Sequence, residues 1–254
     1  MLSGYHAISA DIERRIQDHE WEHDGKLPSV SALMEHYQAS KLTIRRALAH
    51  LEDGGVIVLH DRSRARIRTR VPIRVPLSRY GRVMEPGGSK GPWETACADQ
   101  GLDGRMVPVE VVKERAPADL AAALGVDAGT FVVRRTRHAL VGDEVVQLQD
   151  AYYEAAFAAQ TGLDSAEKVV GGIYGALTAA GLAPTEADER VGGGLPTPRE
   201  CEALHIGSGV PVLRVQRVTR SGERLLEVLR VSAPADRVEL VYDALPLGDE
   251  RSGL

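Results

Sequence analysis

The 254-residue chain is 43% hydrophobic and 26% charged, ordinary globular values that exclude disordered and fibrous classes. No stretch nears the roughly 18 apolar residues of a membrane span, Met1 to Ala10 lacks a basic-then-apolar leader pattern, and the two cysteines, Cys97 and Cys201, exclude a disulfide framework. A cytoplasmic protein with no membrane partner is expected. The net charge of −5 is uneven: residues 1–75 carry 12 basic and 10 acidic side chains, the remainder 19 and 26. Residues 38–74 alone hold 9 basic and 3 acidic groups, a local positive stripe of the kind that polyanions seek.

Ile8, Ile12 and Ile16, with Trp21 beyond them, predict an amphipathic helix over Ser9–Glu22, stopped by Asp24-Gly25. Ser29 predicts the N-cap of a helix through Tyr37, and Ser40 that of a helix to about Asp53. The apolar face of the latter is Leu42 or Thr43 with Ile44, Ala47, Leu48 and Leu51. Gly54-Gly55 ends it, and Val56–Leu59 with Arg64–Thr69 reads as a two-stranded ribbon. Residues 70–92 are rich in proline and glycine and read as a linker and the start of a second domain. The expected organisation is residues 1–70, a linker over 71–87, a second domain over 88–246 and a tail over 247–254.

In the second domain, strands are expected at Arg105–Val112, Phe131–Leu140, Val145–Ala151, Val210–Thr219, Arg224–Val231 and Val238–Tyr242, and helices at Pro117–Leu124, Ile173–Ala180 and Pro198–Leu204. An internal repeat supports the pattern. At an offset of 80 residues, Leu124, Val126, Gly129, Val132, Val133, Arg134, Arg137 and Gly142 match Leu204, Ile206, Gly209, Val212, Leu213, Arg214, Arg217 and Gly222. Each half reads as helix, glycine turn, strand, turn, strand. Two such halves predict one antiparallel sheet with helices to one side, an α+β fold.

Two helices joined by a short turn and followed by a ribbon make a winged helix-turn-helix. The second helix must enter the major groove N-terminus first, so polar and basic groups belong in its first turns. Ser40, Lys41, Thr43, Arg45 and Arg46 stand there. The ribbon carries Arg62, Arg64, Arg66, Arg68 and Arg70 at alternate positions, which predicts one edge of almost continuous arginine suited to phosphates or a narrow minor groove.

Residues 5–70 resemble the DNA-binding domain of GntR-family bacterial repressors, through Tyr5, Ile8, Ile12 and Ile16, the run Gly25-Lys26-Leu27-Pro28-Ser29, and the run from Tyr37 to Leu48. The resemblance implies that Ser29, Ser40, Lys41, Leu42, Thr43 and Arg45 lie at the DNA. Val30-Ser31 stands where the family often has an acidic-basic pair, and Arg62-Ser63-Arg64 where the wing tip usually has a glycine. Residues 88–246 resemble the UTRA domain, the effector-binding half of the HutC subfamily, which shares its fold with chorismate lyase. The match runs through Leu124-Gly125-Val126, Arg135-Thr136-Arg137, Gly172-Ile173-Tyr174-Gly175, Pro196-Thr197-Pro198 and Gly209-Val210-Pro211.

Strand parity places Phe131, Val133, Arg135, Arg137 and Ala139 on one face, as it does Val145, Gln147, Gln149 and Ala151, and Leu225, Glu227, Leu229 and Val231. Polar groups interleaved with apolar ones mark either an exposed edge or a ligand site. By resemblance, Arg135 and Arg137 are candidates for an anion, Glu227 for hydroxyl or amine groups, Gln149 for a further polar contact, and Trp93 and Tyr174 for the walls. Gln149 stands where the family often has glutamate, and Gly194 where it usually has arginine.

His19-Glu20-Trp21-Glu22-His23 has the spacing of a zinc-protease motif, but Asp24-Gly25 follows at once and its flanks are polar, so a solvated helix end is expected. Cys97 and Cys201 read as small core residues, and Gly192-Gly193-Gly194 as a flexible turn rather than a phosphate loop. No metal and no cofactor is expected. The reading is a DNA-binding transcriptional regulator, a repressor, that binds an operator with inverted-repeat symmetry as a homodimer and is modulated by a small anionic effector. Two alternatives stand beside it: a constitutive plasmid-type repressor without effector, and a lyase-like enzyme.

Overall fold

The computed structural model describes residues 4–21, 23, 25–59, 64–68, 71–76, 91–167, 169 and 172–242. Arg62, Arg70, most of the expected linker and the 247–254 tail lie outside them. The chain divides into two compact units: Met1–Val71 with Gly194–Val212, and Pro72–Gly193 with Leu213–Leu254.

In the first unit, α1 (Tyr5–Gln17), α2 (Val30–Tyr37) and α3 (Lys41–Asp53) precede a short ribbon of β1 (Ile57–Val58) and β2 (Arg66–Ile67). The ribbon is antiparallel, with Ile57 opposite Ile67, and Lys26 adds a bridge to Arg66. Ser29 and Ser40 cap α2 and α3, accepting the amides of Ala32 and Thr43, each at 3.2 Å. Such caps satisfy amides that the helix itself leaves open. Ile8, Ile12, Leu33, Ile44, Ala47, Leu48 and Leu51 close the core between the three helices.

Helix α1 starts earlier and stops earlier than its isoleucine spacing predicts. His19, at φ 60°, adopts the left-handed conformation and turns the chain off the axis after Gln17. Trp21 is therefore not on the helix. Its ring lies under the Arg15 guanidinium, 4.6 Å from the ring centre, a cation–π arrangement.

In the second unit, β3 (Ile73–Pro76) pairs in parallel with β10 (Val238–Val241), and α4 (Pro92–Ala98) packs with them through Trp93 and Cys97. The main sheet has six strands: β4 (Gly104–Arg115), β5 (Phe131–Val141), β6 (Glu144–Glu154), β7 (Glu186–Gly194), β8 (Val212–Ser221) and β9 (Arg224–Pro234). Their order is β4-β5-β6-β9-β8-β7, with antiparallel registers at β4–β5, β5–β6 and β6–β9. The order is symmetric about the β6–β9 seam, as the 80-residue repeat requires, and β7 is the counterpart of β4. Gly192-Gly193-Gly194, expected as a turn, closes strand β7.

Helices cover both faces of the sheet, not one. Helix α5 (Ala118–Leu124) packs Leu120 and Leu124 against Val132, Tyr152 and Val228. Helices α6 (Ala155–Thr161) and α7 (Gly172–Ala179) pack Phe157 and Leu177 against Val133, Tyr153 and Leu229. The reason lies in paired residues. Val132-Val133 and Tyr152-Tyr153 put an apolar side chain on each face at the same level, and each face then needs a cover. The remaining helix, α8 (Pro198–Leu204), belongs to the first unit.

Candidate functional site

The outward face of α3 carries the DNA-reading candidates. Ile44, Ala47, Leu48 and Leu51 are buried, while Lys41, Leu42, Arg45 and Arg46 are exposed and Thr43 is half-buried. Leu42 thus belongs to the outer face, at 61% exposure; an apolar group there suits a thymine methyl. Ser40 Oγ lies 2.9 Å from Thr43 Oγ1 as well as capping the helix, so these two hydroxyls are oriented before any ligand arrives. Ser29 caps α2. Helices α1 and α2 are locked by Tyr37, whose hydroxyl donates to Asp11 at 2.8 Å and accepts from Arg15 at 3.0 Å.

The wing departs from an unbroken arginine edge. Arg64 and Arg66 are exposed, whereas Arg68 is buried at 7% exposure. Its amide donates to Val56 O at 3.0 Å, beside the Gly54-Gly55 turn. Arg62 lies outside the described residues.

The second candidate is a polar cluster on the α6–α7 face of the main sheet. Register places Arg137 opposite Gln149, Ala151 opposite Arg135, and Val231 opposite Gln149. Arg137 donates to Gln149 Oε1 at 3.2 Å, and Gln149 donates to Gln147 Oε1 at 2.8 Å, a chain that runs along β6. At the centre the Tyr153 hydroxyl donates to Glu227, a carboxylate only 2% exposed. Burial first, and the Glu227 charge next, push the Tyr153 phenol well above its ordinary value, while the nearby Arg137 opposes that shift. Beyond lies Arg217, 3% exposed, ion-paired with Glu189 and donating to the Tyr174 hydroxyl at 3.4 Å. Thr219, on the same face two residues along β8, has a buried hydroxyl, and Arg137 a buried Nε–H, with no hydrogen-bond partner among the described residues. Buried donors without partners are uncommon in folded proteins and mark a place for a ligand or water.

Arg135 and Trp93 do not join this cluster in the expected roles. Arg135 spends its guanidinium on backbone: it donates to the carbonyls of Leu163 (2.8 Å), Ser165 and Glu167 (3.2 Å), pinning the segment after α6. Trp93 packs with Ile73, Val75, Cys97 and Val238, and its indole donates to Leu140 O at 3.0 Å. Arg217 and Glu189 are the members that sequence reasoning missed. The signal for Arg217 was present, since it is the repeat counterpart of Arg137.

The motif at His19–His23 falls after the end of α1, and Glu20 is held by Arg15 at 2.5 and 2.6 Å. Among the described residues no group of three His, Cys, Asp or Glu is placed to hold a metal ion. Cys97 is buried, and that burial pushes its thiol up to about 12, so it is inert at neutral pH. No helix among the described residues is long and apolar enough to cross a membrane.

A three-helix domain with a wing, followed by a repeat-built sheet holding a buried polar cluster, is the plan of a ligand-responsive DNA-binding regulator. Residues 4–67 match the gntR family of bacterial regulatory proteins, and residues 99–239 match the UTRA domain. The chain belongs to the GntR family, as a HutC-type transcriptional repressor with a UTRA effector-binding domain. It is 28% identical to a histidine utilization repressor of Pseudomonas aeruginosa, over 93% of this chain and 89% of that protein. The Klebsiella aerogenes histidine utilization repressor is 26% identical, covering 93% and 92%. Among solved structures, a GntR-family transcriptional regulator aligns with a TM-score of 0.61 at 25% identity, over 96% of this chain and 98% of that one. PhnF from Mycobacterium smegmatis aligns at 0.55 and 22% identity, over 94% and 100%, a likeness of fold.

Proposed function

We propose that this regulator binds an inverted-repeat operator as a homodimer and that a small anionic molecule, held on the α6–α7 face of the sheet, changes its affinity for that operator. The observation that carries the DNA half is the outer face of α3, where Lys41, Leu42, Arg45 and Arg46 stand exposed above a fully apolar inner face. In this reading α3 lies in the major groove, with Thr43 and Arg45 at base edges. Ser29, Ser40 and Lys41 take phosphates, Arg46 lies along the backbone, and the wing follows with Arg64 and Arg66. Two copies about one helical turn apart would read the two half-sites.

In the effector half, Arg137 and Arg217 meet the anion, Gln149 and Tyr174 orient it, and Glu227 accepts from a hydroxyl or amine. The unpartnered Arg137 Nε and Thr219 hydroxyl support this assignment. Arg135 acts at one remove, by holding the 163–167 segment. The histidine utilization repressors among the relatives direct the first ligand panel to histidine, with small carboxylates and inorganic phosphate beside it as plain anions. The sheet is read as binding its ligand without turnover.

The test is fluorescence anisotropy with the DNA upstream of the protein's own gene and a scrambled duplex. A preference of about a thousandfold or more is expected. Arg45→Ala should cost about tenfold or more and relax base preference, whereas Arg64→Ala should weaken both duplexes alike and flatten the salt dependence. Equal, weak binding to both duplexes, unchanged by Arg45→Ala, would sink the assignment of α3.

A further inference from the structure

We propose that residues 195–211, the strap between β7 and β8, tie the state of the effector site to the recognition helix α3. The proposal rests on the reading above, in which α3 enters the groove and Arg217 meets the effector.

The strap leaves β7 at Gly194 and rejoins the sheet at Val212, yet it clusters with α1–α3. Its contact with α3 is backbone on backbone. The Gly209 amide donates at 3.0 Å to the carbonyl of Asp53, the last residue of α3. That bond closes one of the carbonyls a helix end leaves open. A Cβ on Gly207 would lie 2.1 Å from the Glu52 carbonyl oxygen, and one on Gly209 would lie 2.6 Å from that of Asp53. Only glycine permits an approach this close. Val210, 3% exposed, seats against the turn that follows α3, where a Cβ on Gly55 would come within 2.3 Å of its Cγ2.

The two strands that the strap joins carry the ion pair of the polar cluster, Glu189 on β7 and Arg217 on β8. Helix α8 makes the strap stiff. Thr197 and Glu200 form a reciprocal capping box at its start, and His205 closes its end in the left-handed conformation. An anion that takes the Arg217 guanidinium from Glu189 loosens β7 from β8 at that level, and the strap carries the shift to Asp53. Because α3 is one 13-residue helix, a displacement at Asp53 moves Lys41, Thr43 and Arg45 with it.

The test needs neither effector nor operator. Hydrogen exchange of the full chain is followed by mass spectrometry for the wild type, Gly207→Ala, which wedges the contact, and Glu189→Gln, which breaks the pair at the root of the strap. Both variants should speed exchange about tenfold or more in peptides spanning 48–56 and 205–212, with β5 and β6 unchanged. Should Gly207→Ala not fold, Val210→Ala opens the same contact more gently and should act in the same direction. If Glu189→Gln leaves those peptides at the wild-type rate, or if neither contact variant speeds them, the strap does not report on the site and the proposal is overturned. A panel of anions scored by thermal shift separates the two layers. Fast exchange in Glu189→Gln with no anion bound leaves the mechanical link standing and removes the effector assignment.

Discussion

The two halves of the main sheet descend from one pattern and have come to different uses. In the first, β4-α5-β5-β6, the helix packs on its own sheet through Leu120 and Leu124, and Gly129 turns the chain in open space at φ 80°. In the second, β7-α8-β8-β9, the matching helix belongs to the DNA-binding unit, and the matching glycine, Gly209, meets the backbone of Asp53. The matching arginines have diverged too. Arg137 makes a hydrogen bond to a neutral glutamine, and Arg217 is ion-paired with Glu189. The lesson is that two matching halves can keep side chains at corresponding positions on one face of a sheet while the connections between their strands are put to other uses.

The largest effect should come from breaking the comparison at its arginines. Arg217→Met takes the guanidinium away from the Glu189 carboxylate, which is 12% exposed. Removing one partner of such a pair costs about 3–5 kcal/mol when burial is deep. Arg137→Met removes a charged donor from a neutral acceptor and should cost about 1–3 kcal/mol. Urea unfolding of the two variants reads the difference. Equal costs would mean that the two halves still use their arginines in the same way.

A pH experiment sharpens the same contrast at the seam. The Tyr153 phenol is buried beside Glu227 and titrates well above 10.0 in the folded chain. Where the unfolded phenol has ionised and the folded one has not, the folded state binds more protons. Stability is therefore fully present below about pH 10 and falls as pH rises through the folded value, by up to about 1.4 kcal/mol per pH unit. Tyr153→Phe should remove that share of the slope between pH 9 and 11. The residual slope belongs to the other buried phenols, Tyr37 and Tyr152, and to the Cys97 thiol, all raised by burial. An unaltered slope in Tyr153→Phe would place the phenol in water and remove it from the centre of the cluster.

The helix-turn-helix was legible because its signals are local. Ser29 and Ser40 are caps, and the α3 apolar face follows from spacing alone. The end of α1 was not, since the left-handed turn at His19 competes with an isoleucine period that runs on toward Trp21. Strand β7, Glu-Ala-Asp-Glu-Arg-Val-Gly-Gly-Gly, has no apolar alternation, because it is an edge strand with mostly exposed residues. Only the repeat could have foretold it, by way of β4. The polar cluster was half legible. Parity put Arg135 and Arg137 on one face correctly, but nothing in the sequence says that the 163–167 backbone folds over Arg135 and claims it. Glu189 was hidden in the strand that was missed.

The smallest effect tests the stiffness assigned to α8 against its counterpart. Thr197 Oγ1 accepts the Glu200 amide at 3.3 Å, and Glu200 Oε2 accepts the Thr197 amide at 2.7 Å. Helix α5 starts instead at Pro117 with no side-chain cap. Thr197→Ala should therefore cost about 1 kcal/mol, the usual worth of such a cap. Pro117→Ala should cost less than about 1 kcal/mol, through the freer unfolded backbone alone. The two are also expected to act in different places. Loss of the Thr197 cap should raise amide exchange in the strap and at the end of α3, while Pro117→Ala should leave both at wild-type rates. If Thr197→Ala frays only α8 and the α3 amides hold, the strap is softer than its caps suggest, and the route from β7 and β8 to α3 runs through the Gly209 contact without help from the helix.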